Sequence, residues 1–179
     1  MFVRRLAIPG DGHATIVWTE GNDGPVVTRV CIDGTEPGGE NGTCAVIEDL
    51  ADRITACLKG EEVTVPLDLA DIDSCGEFQR SVLLLECTVP RGRITTYGRI
   101  ARILGSGARA VGNALARNPF PLIIPCHRAV RADLSIGGFQ GGAAMKADLL
   151  AMEGIVFDRH GRIAKNTKLW DFTELKEAL

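Results

Sequence analysis

The stretch that decides how this chain folds is Thr96-Tyr97-Gly98-Arg99-Ile100-Ala101-Arg102-Ile103-Leu104-Gly105-Ser106-Gly107-Ala108-Arg109-Ala110-Val111-Gly112-Asn113-Ala114-Leu115-Ala116-Arg117. Thr96 is suited to cap a helix from Tyr97 to Leu104, because its hydroxyl can accept from a free amide of the first turn. Gly105 is suited to end that helix. A second helix, Gly107–Arg117, follows the Gly-Ser-Gly turn, so the segment reads as a helix-turn-helix. Ala108, Ala110, Gly112 and Ala114 make the second helix slim, while Val111 and Leu115 are placed to pack inward. A helical hairpin buried in a core would fit the same pattern. Charge decides between the two: from Glu86 to Asp133 the chain carries eight arginines (91, 93, 99, 102, 109, 117, 128 and 131) and no acid, which favours a surface facing phosphates.

Downstream lies Ile124-Pro125-Cys126-His127-Arg128-Ala129-Val130. A thiolate is the reactive form of cysteine, and neighbouring His and Arg favour it. The apolar run before Cys126 reads as extended, and in an extended chain successive side chains point to opposite sides. His127 is then poorly placed to take the thiol proton directly, and transfer through a bridging water fits better. That argues against a papain-like hydrolase.

Pro125-Cys126-His127-Arg128 resembles the active-site signature of the O6-alkylguanine-DNA alkyltransferases, which repair DNA by direct reversal. Asn118-Pro119-Phe120-Pro121, Thr96-Tyr97-Gly98, Arg109-Ala110-Val111-Gly112, Gly141-Gly142 and Leu149-Leu150-Ala151-Met152-Glu153-Gly154 are similar to further family patterns in the same order, from about Phe78 to Gly154. The resemblance implies a small N-terminal ribonuclease H-like α/β domain and a C-terminal helical domain with a winged helix-turn-helix. It also implies a single irreversible transfer of an alkyl group from guanine O6 in duplex DNA to Cys126, with no cofactor and no metal.

Roles follow from the same resemblance. His127, through water, takes the thiol proton, and Glu153 orients the imidazole. Tyr97, the chain's only tyrosine, donates to the leaving guanine, and Asn118 holds the turn around the cysteine. The pocket is expected from Tyr97, Pro121, Ala129, Phe139 and Gln140, with backbone at Cys126 and Ala129 reading the exocyclic amine. DNA contacts are expected from Arg109, Ala108, Ala110, Gly112, Arg99, Arg102, Arg117 and Arg128. Arg109 matches the residue that fills the space left by a flipped nucleotide. Many family members place a hydroxyl-bearing aromatic before the Gly-Gly of the loop, where this chain has Phe139.

At 179 residues with 45% apolar content, the chain can bury a core and form one domain or two small ones. We expect residues 1–73 to form a structural α/β domain and residues 74–179 the DNA-binding, active-site domain. Residues 1–74 carry a net −9 and residues 75–179 a net +6. No apolar run reaches transmembrane length and the start lacks a signal-peptide layout, so the expectation is a soluble, monomeric, cytoplasmic protein, DNA-associated, or nuclear in a eukaryote. The cysteines at 31, 44, 57, 75, 87 and 126 show no spacing of a disulfide framework. Cys31, Cys44 and His13 are the one set that could suggest zinc.

Val3–Ile8, Ala14–Thr19 and Val26–Ile32 read as strands, Ala45–Leu58 as a helix closed by Gly60, and Val63–Leu67 as a further strand. Asp68–Gly76 reads as a linker. Glu77–Val89 reads as a helix with Phe78, Val82, Leu85 and Val89 inward, stopped by Pro90. Leu134–Gly142 is a Gly-rich loop, and Ala143–Glu153 a helix with Met145, Leu149 and Met152 inward. A short helix is expected near 169–175. The competing readings are a catalytically silent binder of alkylated DNA, a helix-turn-helix regulator and a cysteine hydrolase.

Overall fold

The computed structural model describes residues 1–8 and 12–172. The chain is mixed α/β and divides into two compact units: Met1–Gly76 with Asn118–Ile124, and Glu77–Arg117 with Pro125–Leu179. The first unit thus draws in a seven-residue segment that a linear division at 73/74 leaves with the second.

In the first unit, strands β1 (Phe2–Ile8), β2 (Gly12–Gly21) and β3 (Gly24–Cys31) form an antiparallel meander, and the short β4 (Glu40–Asn41) pairs parallel to β1, in the order β3-β2-β1-β4. Alternation of side chains along a strand puts every second residue on one face. Both faces carry buried side chains: Val3 and Val17, paired across β1 and β2, lie on one, and Leu6, Ala14 and Ile16 on the other. Helix α1 (Ala45–Leu58) runs as the periodicity predicts, and it buries Ile47, Leu50, Ala51, Ile54 and Leu58. Gly60 follows it with φ 83°, a conformation that favours glycine.

The strand expected at Val63–Leu67 does not form. Pro66 has no amide hydrogen to give a ladder, and pairing begins only beyond it. The amide of Val27 donates to Leu69 O at 2.7 Å and that of Asp71 to Val27 O at 2.9 Å. The acidic stretch 68–76 is therefore not a bare linker; it carries this bridge and a 3₁₀ turn at Ile72–Ser74.

The second unit contains helices α2 (Glu77–Cys87), α3 (Tyr97–Ile103), α4 (Ala108–Ala116) and α5 (Gly142–Met152), with a two-stranded parallel pair, β5 (Thr95–Thr96) and β6 (Ala129–Val130). Thr96 Oγ1 accepts from the Arg99 amide at 3.3 Å, so the predicted cap is present. Gly105, at φ 60°, ends the turn after α3, and Val111 and Leu115 face inward from α4. A core of Ile94, Val130, Leu150, Ile155 and Ile163 joins the β5–β6 pair to α5.

Two helix faces differ from the sequence reading. On α2 the inner positions are Val82, Leu83 and Glu86, while Phe78 is 40% exposed. On α5 they are Lys146, Leu149 and Leu150, while Met152 is 43% exposed. In both helices an ionisable residue occupies a core position that the sequence reading filled with an apolar one. Of the helix expected near 169–175, residues 173–175 lie outside the described residues; Leu169 forms an isolated bridge with Ile94.

Candidate active site

Cys126, His127 and Arg128 form a 3₁₀ turn, not the extended segment expected. Pro125, whose ring fixes φ near −65°, sits at φ −78°, ψ 54° and turns the chain into it. Cys126 and His127 are both 5% exposed. The turn leads directly into β6, which pairs with β5 (Thr95↔Ala129, Thr96↔Val130). Because Tyr97 follows β5 directly, this pairing sets the start of α3 against the cysteine turn.

His127 Nε2 lies 2.9 Å from Glu153 Oε1. A carboxylate only accepts, so Nε2 carries the hydrogen and donates. Nδ1 is then the basic nitrogen, and it has no hydrogen-bond partner among the described residues. Arg128 also turns inward onto Glu153: Nη2 donates to Oε1 at 2.8 Å and Nε to Oε2 at 3.0 Å, while Nη1 donates to Val89 O at 2.7 Å. The Gly92 amide reaches Glu153 Oε2 at 3.4 Å. Burial works to raise the Glu153 pKa, but the hydrogen bonds from His127 and Arg128 outweigh it and hold the carboxyl at about 2. Burial lowers the His127 pKa against the pull of Glu153, so the ring is neutral at pH 7 and able to accept a proton.

A cavity of about 130 Å³ is lined by Tyr97, Gly112, Leu115, Ala116, Cys126, Arg131, Gly138 and Phe139. The Phe139 ring meets His127 edge-on, 6.3 Å between centroids. The Tyr97 hydroxyl packs on Gly137, which has φ 77°; a Cβ there would come within 2.5 Å of it. Burial, then the charge of Glu86, raises the Tyr97 pKa to about 12, so it keeps its proton. Burial raises that of Cys87 to about 12, so this thiol keeps its proton and is inert.

The sequence-predicted residues divide as follows. Cys126, His127, Glu153, Tyr97 and Phe139 are gathered in the second unit around the turn and cavity. Asn118 and Pro121 fall in the first unit, where Asn118 is fully buried, accepts from the Phe120 amide at 2.9 Å and donates to Ile124 O at 3.4 Å. Ala129 is buried and offers its carbonyl to Lys146. Gln140 donates to Ala116 O at 3.4 Å and does not line the cavity. Ala108, Arg109 and Ala110 on α4, with Arg102 and Arg117, are exposed, and Gly112 lines the cavity. Arg128 is corrected: its guanidinium is engaged with Glu153 and is not an outward contact. Arg99 is partly buried and donates to Trp170 O at 2.8 Å.

Two residues escaped the sequence reading. Lys146 is fully buried, and its Nζ donates to Ala129 O at 2.6 Å, Gly138 O at 3.2 Å and the Tyr97 hydroxyl at 3.5 Å. Glu86 is fully buried on α2. Their signal was the spacing 146, 149, 150 and 82, 83, 86, which puts each on the apolar face of its helix. None of the six cysteines forms a disulfide. Among the described residues no group of three or more His, Cys, Asp or Glu is placed to hold a metal, and no helix is long and apolar enough to cross a membrane.

Residues 77–155 match the family described as 6-O-methylguanine DNA methyltransferase, DNA binding domain. The chain is 40% identical over 141 residues to the methylated-DNA–protein-cysteine methyltransferase of Methanothermobacter thermautotrophicus, covering 78% of each chain. It is 43% identical over 110 residues to the protein of the same name from Pyrobaculum aerophilum, covering 61% of this chain and 72% of that one. Among solved structures, it resembles Mycobacterium tuberculosis OGT in complex with DNA, with a TM-score of 0.71 at 28% identity, over 86% of this chain and 93% of the other.

Proposed function

The chain belongs to the methylated-DNA–protein-cysteine methyltransferase family, and we propose that it repairs DNA by moving an alkyl group from guanine O6 irreversibly onto Cys126, once per molecule. The observation that carries the assignment to Cys126 is the buried Cys126–His127 turn with Glu153 bonded to His127 and the other ring nitrogen left basic. Glu153 fixes the tautomer, so Nδ1 receives the Cys126 proton through a water. The thiolate sulfur attacks the alkyl carbon in line, forming the S–C bond as the O6–C bond breaks. The electron pair leaves with guanine, and Tyr97, which keeps its proton, donates to the base. Nothing regenerates the thiol from a thioether, which makes the reaction stoichiometric.

A guanine inside the duplex hides its O6 substituent, so the nucleotide must leave the stack, at a cost of a few kcal/mol. Arg109, exposed near the start of α4, is placed to support the extruded state. Ala108, Ala110 and Gly112 keep α4 narrow enough to approach a groove, and Arg102 and Arg117 meet phosphates. We assign residues 1–73 a structural, ribonuclease H-like role and residues 74–179 the DNA-binding and alkyl-transfer role, with α3 and α4 as the helices of a winged helix-turn-helix. We place the protein in the cytoplasm on DNA, or in the nucleus of a eukaryote, acting as a monomer without a cofactor. Asn118 supports the turn that precedes Pro125.

The test is incubation with duplex DNA carrying a labelled O6-methyl group. Label on the protein supports the transfer. Label released as a small molecule means a hydrolase, and label retained on DNA means a binder or regulator.

A further inference from the structure

Glu86 is unused by this reaction, yet it lies wholly inside the second unit. Neither carboxyl oxygen makes a well-formed hydrogen bond among the described residues; the nearby Ala129 amide favours its ionised form. A carboxyl buried without partners is costly and calls for a reason. Two cations act on it, Lys146 from α5 and Arg128 from the cysteine turn, and its own charge in turn raises the pKa of Tyr97 on α3 and of Cys87 on its own helix. Lys146 in turn responds to Cys126, Glu86 and Arg131. The Ala129 peptide lies between the two: its carbonyl accepts from Lys146 Nζ at 2.6 Å and its amide faces Glu86.

We infer that Glu86 is a positioning residue that keeps Lys146 protonated, so that Lys146 donates to the Tyr97 oxygen and leaves the Tyr97 hydrogen directed at the substrate base. This rests on the alkyl-transfer reading given above. The Lys146 Nζ–Tyr97 contact of 3.5 Å has two opposite senses. As an ammonium, Lys146 can only donate, and the Tyr97 hydrogen is free for guanine. As a neutral amine, Lys146 can accept that hydrogen and withdraw it from the base.

Burial sets the problem. It lowers the Lys146 pKa to about 8 and raises that of Glu86 to about 8, each against the attraction of the other. The two therefore titrate as a pair. As pH rises through this range, Glu86 yields its proton and the carboxylate retains the ammonium beside it. Without Glu86, burial acts on Lys146 unopposed from α2, and its proton is lost at lower pH.

The experiment measures the rate of benzyl transfer from free O6-benzylguanine to Cys126 across neutral to alkaline pH, for wild type, Glu86→Gln and Glu86→Leu. Thermal melts establish that each variant is folded, and either one suffices if the other fails. The alkaline fall in rate is expected to move to lower pH by roughly one unit in both, the shift that one nearby opposite charge typically produces. Profiles that superimpose on wild type after scaling, or a wild type with no alkaline fall, overturn the role of Glu86 even if the rate drops uniformly. A wild-type protein that never transfers benzyl to Cys126 at any pH overturns the alkyl-transfer reading itself.

Discussion

The two units bury different things. The first closes its sheet with aliphatic side chains, among them Leu50, Ile47, Ile54 and Ile16, all at 0% exposure. Its ion pairs, such as Arg4 with Glu48 and Arg53 with Asp49, stay at the surface. The second buries Glu86, His127 and Lys146 beside Cys126, and draws Arg128 and Glu153 inward with them. Hydrocarbon burial stabilises a fold directly, whereas buried ionisable groups cost stability unless hydrogen bonds and partners compensate. The first unit is built as a scaffold, and the second spends stability on chemistry.

That contrast can be broken in several ways. Glu153→Ala removes the shared partner of His127 and Arg128 and leaves two cationic or polar groups stranded. It should cost about 3–5 kcal/mol of stability and abolish alkyl transfer in whatever protein remains folded, as read by denaturant titration and single-turnover rates. The acid side offers a cleaner readout. Glu153, held at about 2 in the folded chain, lies below an ordinary carboxyl. Its stabilisation is thus present above the unfolded pKa of about 4.3 and is lost as pH falls toward 2. Glu153→Gln should lack that increment, so the stability gap between the two should narrow on acidification.

In the first unit, Leu50→Ala should cost about 2–5 kcal/mol through the cavity it leaves. The single-turnover rate of the folded fraction should be unchanged. A rate loss beyond the loss of folded protein would show that the scaffold also tunes the chemistry.

Arg109→Ala separates flipping from transfer. Repair of duplex DNA should slow by about 1–3 kcal/mol of barrier, a fraction of the flipping cost, while reaction with free O6-benzylguanine changes little. Equal losses on both substrates would mean that Arg109 shapes the pocket or the fold. The smallest effect belongs to Arg102→Ala, which should reduce the slope of log affinity against log salt by roughly 0.9, one phosphate contact, without altering transfer.

The same contrast explains what could be read from the sequence. Apolar periodicity placed α1, and the Thr96 hydroxyl with the Gly-Ser-Gly turn placed α3 and the slim α4, because those elements obey simple local rules. The pairing of His127 with Glu153 was legible only through the family resemblance of the motifs around Pro125 and Gly154. The cysteine turn's backbone was not, because an apolar run before Pro125 looks extended until the proline's ψ of 54° is known. Glu86 was hidden in Val82-Leu83-Leu84-Leu85-Glu86, where a charge beside leucines reads as solvent-facing. Lys146 was hidden likewise, although Leu149 and Leu150 share its face. Charges in core positions run against the rule that organises the rest of the helix, and their compensation comes from elsewhere in the chain: the Ala129 and Gly138 carbonyls for Lys146, the Lys146 and Arg128 charges for Glu86. For the same reason Arg128 read as an outward cation until Glu153 and Val89 O were seen to hold it.

The most direct test of the central claim is the intact mass of the protein before and after exposure to excess O6-methylguanine DNA, followed by peptide mapping. The expected result is a gain of one methyl group per chain, located on Cys126 and on none of the other five cysteines, with no gain in Cys126→Ser. Repeated turnover by an unmodified chain, or methyl on another residue, would contradict it.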